Sequence, residues 1–194
     1  MADPSFYLRS PEARPEMGSG AVLPGVSRTY DLAKGVRMGS NFPPTVVFEI
    51  AKRSGDVLTD FLPNTNRVIM ASERVAEFLR AELPASDEIE FLPFGLKNKK
   101  GRLVQTPRYC LVNPLRKVEC LDRKRSKYAA ADTGELVMMD ELHLAEDRIP
   151  PDTKLFRLAE LPTCILYRAD LVEKIRAAGF TGFTVAAPGD NLTL

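Results

Sequence analysis

Alternation of hydrophobic and polar residues in the middle of the chain predicts an antiparallel sheet. In the segment 88–94, isoleucine and phenylalanine first alternate with glutamate, which is the period of two that a half-buried strand shows. Gly101 follows in a polar turn and can adopt the positive φ that closes a short hairpin. Two more strands are indicated at 108–112 and 117–122, with a reversal at Asn113-Pro114 between them. The pattern therefore predicts a three-stranded meander.

Two other segments have the apolar spacing of amphipathic helices. The first extends from Ser72, a predicted N-cap, to Leu83 and ends before Pro84. The second begins near Asp170 and ends at Gly179, which suits a left-handed C-cap. Further short strands or extended pieces are predicted at 6–8, 45–50, 68–70, 135–139, 155–158, 163–167 and 183–185. The predicted fold class is α+β, with a mainly antiparallel sheet of about eight short strands and two amphipathic helices packed on it.

The length of 194 residues favours one domain with a sizeable core. We predict that residues 42–187 form this domain, with an N-terminal arm or loop segment at 1–41 and a tail at 188–194. The stretch from Ser10 to Ser27 is rich in proline, glycine and serine, and is expected to lie over the domain without a regular element. Such an arm is either a passive leader or a segment used in dimerisation or partner contact.

Several short segments occur in an order that matches a known family. They are Leu92-Pro93-Phe94, Lys99-Lys100-Gly101-Arg102, Tyr109 to Leu115, Val118 to Asp122, Ser126, Leu155 to Leu158 and Ala178 to Phe183. In this order they resemble the eleventh immunity-protein family of polymorphic toxin systems, a bacterial family typified by a myxobacterial protein and first catalogued as a domain of unknown function. The resemblance covers residues 46–183. It implies a protein that binds and occludes a cognate secreted toxin, encoded by a neighbouring gene, and so protects the producing cell and its kin.

The overall composition is that of an ordinary soluble globular protein. It is 44% hydrophobic and 27% charged, and the net charge of +1 gives no overall attraction to nucleic acid or to an acidic membrane. The longest apolar runs are far shorter than the roughly 20 residues that a membrane span requires. Asp3 and Arg9 lie where a signal peptide would have an apolar stretch. We therefore expect a cytoplasmic protein with no membrane partner.

The sequence lacks the motifs of catalysis and cofactor binding. His143 is the only histidine and is expected to be solvated in a polar loop, and there is no nucleophile elbow, phosphate-binding glycine loop or dinucleotide fingerprint. Three cysteines lack the paired spacing of a zinc site and are expected to be buried free thiols: Cys110, Cys120 and Cys164. A cross-strand contact between the first two is geometrically possible. We predict no metal, no cofactor and no enzymatic activity.

Opposite charges are separated along the chain. Residues 97–127 carry eleven basic and two acidic side chains, a local charge of +9, whereas residues 132–152 carry seven acidic side chains and one arginine, a local charge of −6. The acidic side chains that suit the basic groove of a nuclease toxin are Asp140, Glu141, Glu146 and Asp147. The basic side chains that suit nucleic-acid phosphates instead are Lys99, Lys100, Arg123 and Arg125.

These charges support three interpretations. The acidic residues bind the toxin, the basic stretch from Lys97 to Lys127 forms a nucleic-acid-binding module, or both charges form a solubilising surface in which they pair with each other. Tyr109 is the only aromatic residue in the basic stretch, so stacking platforms for bases are lacking, which argues against nucleic acid as the partner. We favour toxin binding and keep the nucleic-acid-binding module as the alternative function. The oligomeric state is left open.

One arginine lies inside an otherwise apolar strand. Arg157 occurs in the sequence Leu-Phe-Arg-Leu at 155–158. We expect it to pair with a carboxylate such as Asp170 or to extend to the exposed face of its strand, with binding of an acidic ligand as the alternative.

Overall fold

A computed structural model describes residues 4–10, 15–22, 29–43 and 45–190 as two β-sheets, a two-stranded ribbon and three α-helices. The strands are β1 (Phe6–Arg9), β2 (Gly20–Val22), β3 (Val47–Ile50), β4 (Phe61–Leu62), β5 (Ile69–Ser72), β6 (Ile89–Lys97), β7 (Tyr109–Pro114), β8 (Lys117–Val118), β9 (Lys127–Ala130), β10 (Leu136–Glu141), β11 (Leu155–Leu158), β12 (Ile165–Arg168) and β13 (Val185–Ala186). The helices are α1 (Thr29–Ala33), α2 (Glu73–Glu82) and α3 (Ala169–Ala177). The predicted α+β class is confirmed, but the predicted counts of eight strands and two helices are too low, because elements of two to five residues show no readable period.

The six-stranded sheet has the order β2-β3-β6-β7-β5-β4. Its centre is the predicted hairpin of β6 and β7, which pair antiparallel, and Gly101 has a φ of +74° in the connecting turn. The predicted pairing of the third strand of the meander is wrong, because β8 pairs in parallel with β11, in the other sheet. The reason is that β5 already pairs with the second edge of β7, so that the chain after Pro114 finds no free edge beside it.

The five-stranded sheet has the order β13-β1-β12-β11-β8. The predicted pair of β11 and β12 is confirmed, and the predicted strand at 6–8 lies between β12 and β13. The stretch Ser10–Ser27 was predicted to lack a regular element, but it contains β2, which pairs with β3. Residues 11–14 and 23–27 of that stretch lie outside the described residues.

The two predicted helices are confirmed. The Ser72 hydroxyl caps α2 by accepting a hydrogen bond from the Val75 N–H, and Gly179 has a φ of +66° after α3. α2 contacts β5 and β7, while α3 contacts β12 and β1. Apolar side chains of both helices and both sheets form one core between these layers.

Two further cores cover the opposite faces of the sheets. The six-stranded sheet packs there against Leu32 of α1 and the segment that follows it. The five-stranded sheet packs there against the ribbon of β9 and β10, through Leu136 and Met139. The three cysteines are buried free thiols, as predicted, and Cys110 and Cys120 belong to different cores, so no contact forms between them. None of the helices in the described ranges is long and apolar enough to cross a membrane.

Candidate functional site

The four predicted acidic binding residues lie on one continuous segment at the end of the ribbon. Asp140 and Glu141 end β10, and Glu146 and Asp147 lie in a short 3-10 turn that spans Glu146–Arg148. Leu142 and Leu144 between them are buried in the core of the five-stranded sheet, which fixes the segment in place. The two turn residues are exposed to solvent, and the two strand residues are half-buried.

Glu141 differs from the other three acidic residues because it is paired within the chain. Lys127, its register partner on β9, forms an ion pair with it, and the His143 Nε2 atom lies 2.9 Å from its Oε1 atom. The hydrogen bond from Lys127, and then that from His143, lower the pKa of Glu141. Asp140, Glu146 and Asp147 have no ion pair within the described part of the chain, so they remain available to a partner.

His143 was predicted to be solvated in a polar loop. That prediction is wrong, because its side chain is largely buried. Its side chain is 18% exposed. The Ser126 hydroxyl accepts a hydrogen bond from the His143 backbone N–H at 2.9 Å and donates one to its carbonyl oxygen at 3.2 Å. Because the serine contacts the backbone and the ring contacts Glu141, these residues fix the loop and do not form a nucleophile with its general base.

The four predicted basic residues are divided between different parts of the fold. Lys99 and Lys100 lie in the turn after β6, where the Lys99 Nζ atom is 3.3 Å from Asp56. Arg123 and Arg125 lie in the turn before β9, where the Arg123 guanidinium is 5.8 Å from the centre of the Tyr128 ring. The basic stretch is thus continuous along the chain but split between the six-stranded sheet and the ribbon.

Arg157 is buried, at 1% exposure, and both predictions for it are wrong. Within the described ranges it contacts no carboxylate, and its side chain does not reach the surface. Its five N–H groups donate to the carbonyl oxygens of Leu32, Ala33, Pro114 and Pro162, at 2.7–3.0 Å, and to the Asn113 Oδ1 atom at 3.2 Å. The planar guanidinium has five N–H donors, and here each donates to a different acceptor, so none is left for a carboxylate.

The hydrogen-bond network continues from Arg157 to the surface. The Asn113 side-chain amide donates to Glu90 at 3.0 Å, and the Glu90 carboxylate accepts from the backbone N–H groups of Met38 and Gly39. Gly35 approaches Arg157 so closely that a Cβ atom there would lie 2.4 Å from the Nε atom. Three polar side chains from the sheets therefore hold α1 and the segment after it. This assigns Arg157 a structural role.

The sequence was compared with protein families and with curated proteins. The model of the immunity protein family (Imm11) matches residues 6–188. The chain belongs to the Imm11 immunity protein family. The resemblance predicted for residues 46–183 is thereby confirmed, and the match begins at the first residue of β1 and extends beyond β13. The search of the curated proteins found no match.

The grooves of this Imm11 protein do not bring catalytic groups together in the described residues. A groove of about 390 Å³ is lined by Leu103, Pro107 and Arg108 among others, and one of about 380 Å³ by Arg37, Arg80 and neighbouring apolar residues. Neither contains a nucleophile beside a general base. In the same part of the chain, no group of three histidine, cysteine or acidic side chains is placed to hold a metal ion.

Sequence reasoning missed an exposed apolar face on the ribbon of this Imm11 protein. Val137 is 56% exposed and Met138 is 42% exposed, while Leu136 and Met139 on either side of them are buried. A signal was available, because four consecutive apolar residues cannot all be covered in a ribbon that packs on one side only.

Proposed function

We propose that this Imm11 protein binds a cognate secreted bacterial toxin and blocks it by occlusion, protecting the producing cell and its kin. The observation that carries the proposal is the family match over residues 6–188. Occlusion requires a stable scaffold and a specific surface and needs no catalytic group. A binding protein, not an enzyme, is therefore the function that the fold supports best, and the toxin is expected to be encoded by a neighbouring gene.

We place the toxin-binding surface at the acidic end of the ribbon. Asp140, Glu146 and Asp147 have no ion pair within the described ranges, so their negative charge is available to a partner. Glu141 is paired with Lys127 but lies beside them on the same surface. Charges of this kind speed the encounter with a positively charged partner. A nuclease is such a partner, because its groove must bind phosphates.

Charge reversal tests this surface. The variant Asp140→Lys/Glu146→Lys/Asp147→Lys should reduce the association rate with the toxin domain by about tenfold or more at low salt, and by less at high salt, because salt screens the attraction. The control is Glu77→Lys/Glu119→Lys/Glu173→Lys, which changes the net charge equally at exposed positions elsewhere. Equal association rates for the two variants would sink the assignment of the surface, while leaving toxin binding itself intact.

The alternative function, a nucleic-acid-binding module, makes a separate prediction. It requires Lys99, Lys100, Arg123 and Arg125 to act together, although they lie in two turns on different parts of the fold. Fluorescence anisotropy with a 20-nucleotide duplex should show an affinity that falls steeply with salt if this function holds. Wild-type protein that leaves the anisotropy unchanged at 50 mM salt would exclude it.

A further inference from the structure

The ribbon exposes two apolar side chains in succession because its backbone is irregular. Its register shifts between Leu136 and Met138, so that Val137 is an extra residue without a partner on β9, and Met138 pairs with Ala129. In a regular strand consecutive side chains alternate between the two faces, and one of the two would point into the core. The bulge instead leaves both Val137 and Met138 exposed. Bulges that redirect a side chain in this way are recurrent features of β-sheets.

The start of the ribbon lies beside α1. The Lys34 Nζ atom lies 4.5 Å from the centre of the Tyr30 ring and 3.5 Å from the Glu135 carboxylate, which directly precedes the ribbon residue Leu136. Tyr30 is 66% exposed. Tyr30 therefore lies near the start of the ribbon, and Val137 and Met138 follow shortly after Glu135 in the chain. Of the other exposed apolar side chains in the described ranges, Val36 lies in the segment after α1, whereas Val57 and Leu103 form isolated bridges with Met17 and Lys97, away from the ribbon.

Acidic side chains border this apolar region. Asp140 occupies the second register shift of β10, and Asp132 lies in the turn between β9 and β10. Glu146 and Asp147 follow beyond Asp140, and none of these four has an ion pair within the described ranges. An apolar centre with a charged rim is the usual arrangement of a protein-binding surface, in which methionine and tyrosine are common anchors.

We propose that Val137 and Met138, supported by Tyr30, form the apolar centre at which the cognate toxin docks, and that the toxin presents an apolar patch bordered by lysine or arginine. This inference rests on the proposed function. The acidic side chains of the border fit a basic protein face, while the basic turn before β9 lies beyond Lys127, which is paired with Glu141. The contact is made by side chains, because the two bulges interrupt the backbone ladder that an added strand would need.

The proposal is tested by isothermal titration calorimetry with the toxin domain. The variant Val137→Ser/Met138→Ser should weaken binding by about 30-fold or more, as expected for anchor residues. The matched control is Val57→Ser/Leu103→Ser, which removes two apolar side chains of similar exposure and should change the affinity by less than about threefold. Both variants should unfold at the temperature of the wild type within a few degrees, since all four side chains are exposed.

The outcomes separate the two proposals. Wild-type protein that fails to bind the toxin overturns the proposed function and this inference together. Wild-type protein that binds, with an unchanged affinity for Val137→Ser/Met138→Ser, overturns only the inference. A further supporting result is a loss of affinity that persists in 0.5 M salt, because apolar contacts are not screened as the acidic border is. A loss that vanishes at this salt concentration contradicts the apolar anchor.

Discussion

Replacing Arg157 by methionine is expected to lower the free energy of unfolding by about 3–5 kcal/mol. The guanidinium donates all five of its N–H groups, to four backbone carbonyls and the Asn113 side chain, and of these acceptors only the Pro162 carbonyl is partly exposed. Methionine fills much of the same volume and provides no donor. The substitution therefore isolates the hydrogen bonds from the packing of the side chain.

The magnitude follows from the acceptors that methionine would leave without a donor. The Leu32 carbonyl keeps a hydrogen bond from the Gly35 N–H, so four acceptors lose the partner that Arg157 gives them. Three of the four are buried, and a buried acceptor without a partner costs about 1–3 kcal/mol, which gives a gross loss of about 3–9 kcal/mol before the partly buried Pro162 carbonyl is added. Against this, methionine avoids the several kcal/mol that burying a positive charge costs. With a gross loss of about 7 kcal/mol and a charge cost of about 3 kcal/mol, the net loss is about 4 kcal/mol, within the expected range of about 3–5 kcal/mol.

Urea unfolding followed by circular dichroism measures this loss. Arg157→Lys should fall between the wild type and Arg157→Met, because an ammonium group has three donors for five acceptors. Arg53→Met is the control, since Arg53 is exposed, and it should change the free energy of unfolding by no more than about 0.5 kcal/mol. An Arg157→Met protein within about 1 kcal/mol of the wild type would show that the charge costs as much as its hydrogen bonds contribute, and would refute the reasoning.

Three other perturbations have expected outcomes. Ser72→Ala removes the N-cap of α2 and should lower the free energy of unfolding by about 1 kcal/mol, measured by the same urea titration. Burial raises the pKa of Asp60, but hydrogen bonds from Thr181, Ser72 and Arg74 outweigh it and leave the pKa below the ordinary 3.8. The stability that Asp60 contributes is thus present above its unfolded pKa and lost as the pH falls through its folded pKa. Between pH 5 and pH 2, the urea midpoint of Asp60→Asn should therefore fall by less than that of the wild type. An equal fall for the two proteins would contradict this assignment. Burial raises the pKa of the three cysteine thiols to about 12, so a disulfide reagent at pH 8 should modify them only after unfolding, and modification of the folded protein would contradict their burial.

Local patterns in the sequence predicted the elements whose period is readable. The hairpin of β6 and β7 and the helix from Ser72 follow from alternation, a turn glycine and a capping serine, which are all contained within short segments. The position of β8 does not follow from such patterns. It depends on β5, more than 40 residues earlier in the chain, occupying the edge of β7, and this long-range pairing leaves no local signal.

The buried arginine and the ribbon show why the site was only partly predictable. From the sequence, Arg157 was predicted to pair with a carboxylate. Its acceptors include backbone carbonyls that are far apart in the sequence and become neighbours only in the folded chain. The acidic segment was visible from charge alone, but the pairing of Glu141 with Lys127 required the register of the ribbon. Four consecutive apolar residues indicated that part of β10 is exposed, but which two are exposed depends on the bulge, for which the residue types give no signal.

Titrating the activity of the cognate toxin with the purified protein tests the central claim most directly. The proposed toxin domain is assayed at fixed concentration while the protein is added in increasing amounts. Occlusion predicts that activity falls in proportion to the added protein and reaches its minimum at about one protein per toxin, as a saturable complex requires. Full toxin activity in the presence of excess protein would contradict toxin neutralisation, and complete inactivation by far less than one equivalent would contradict occlusion in favour of catalysis.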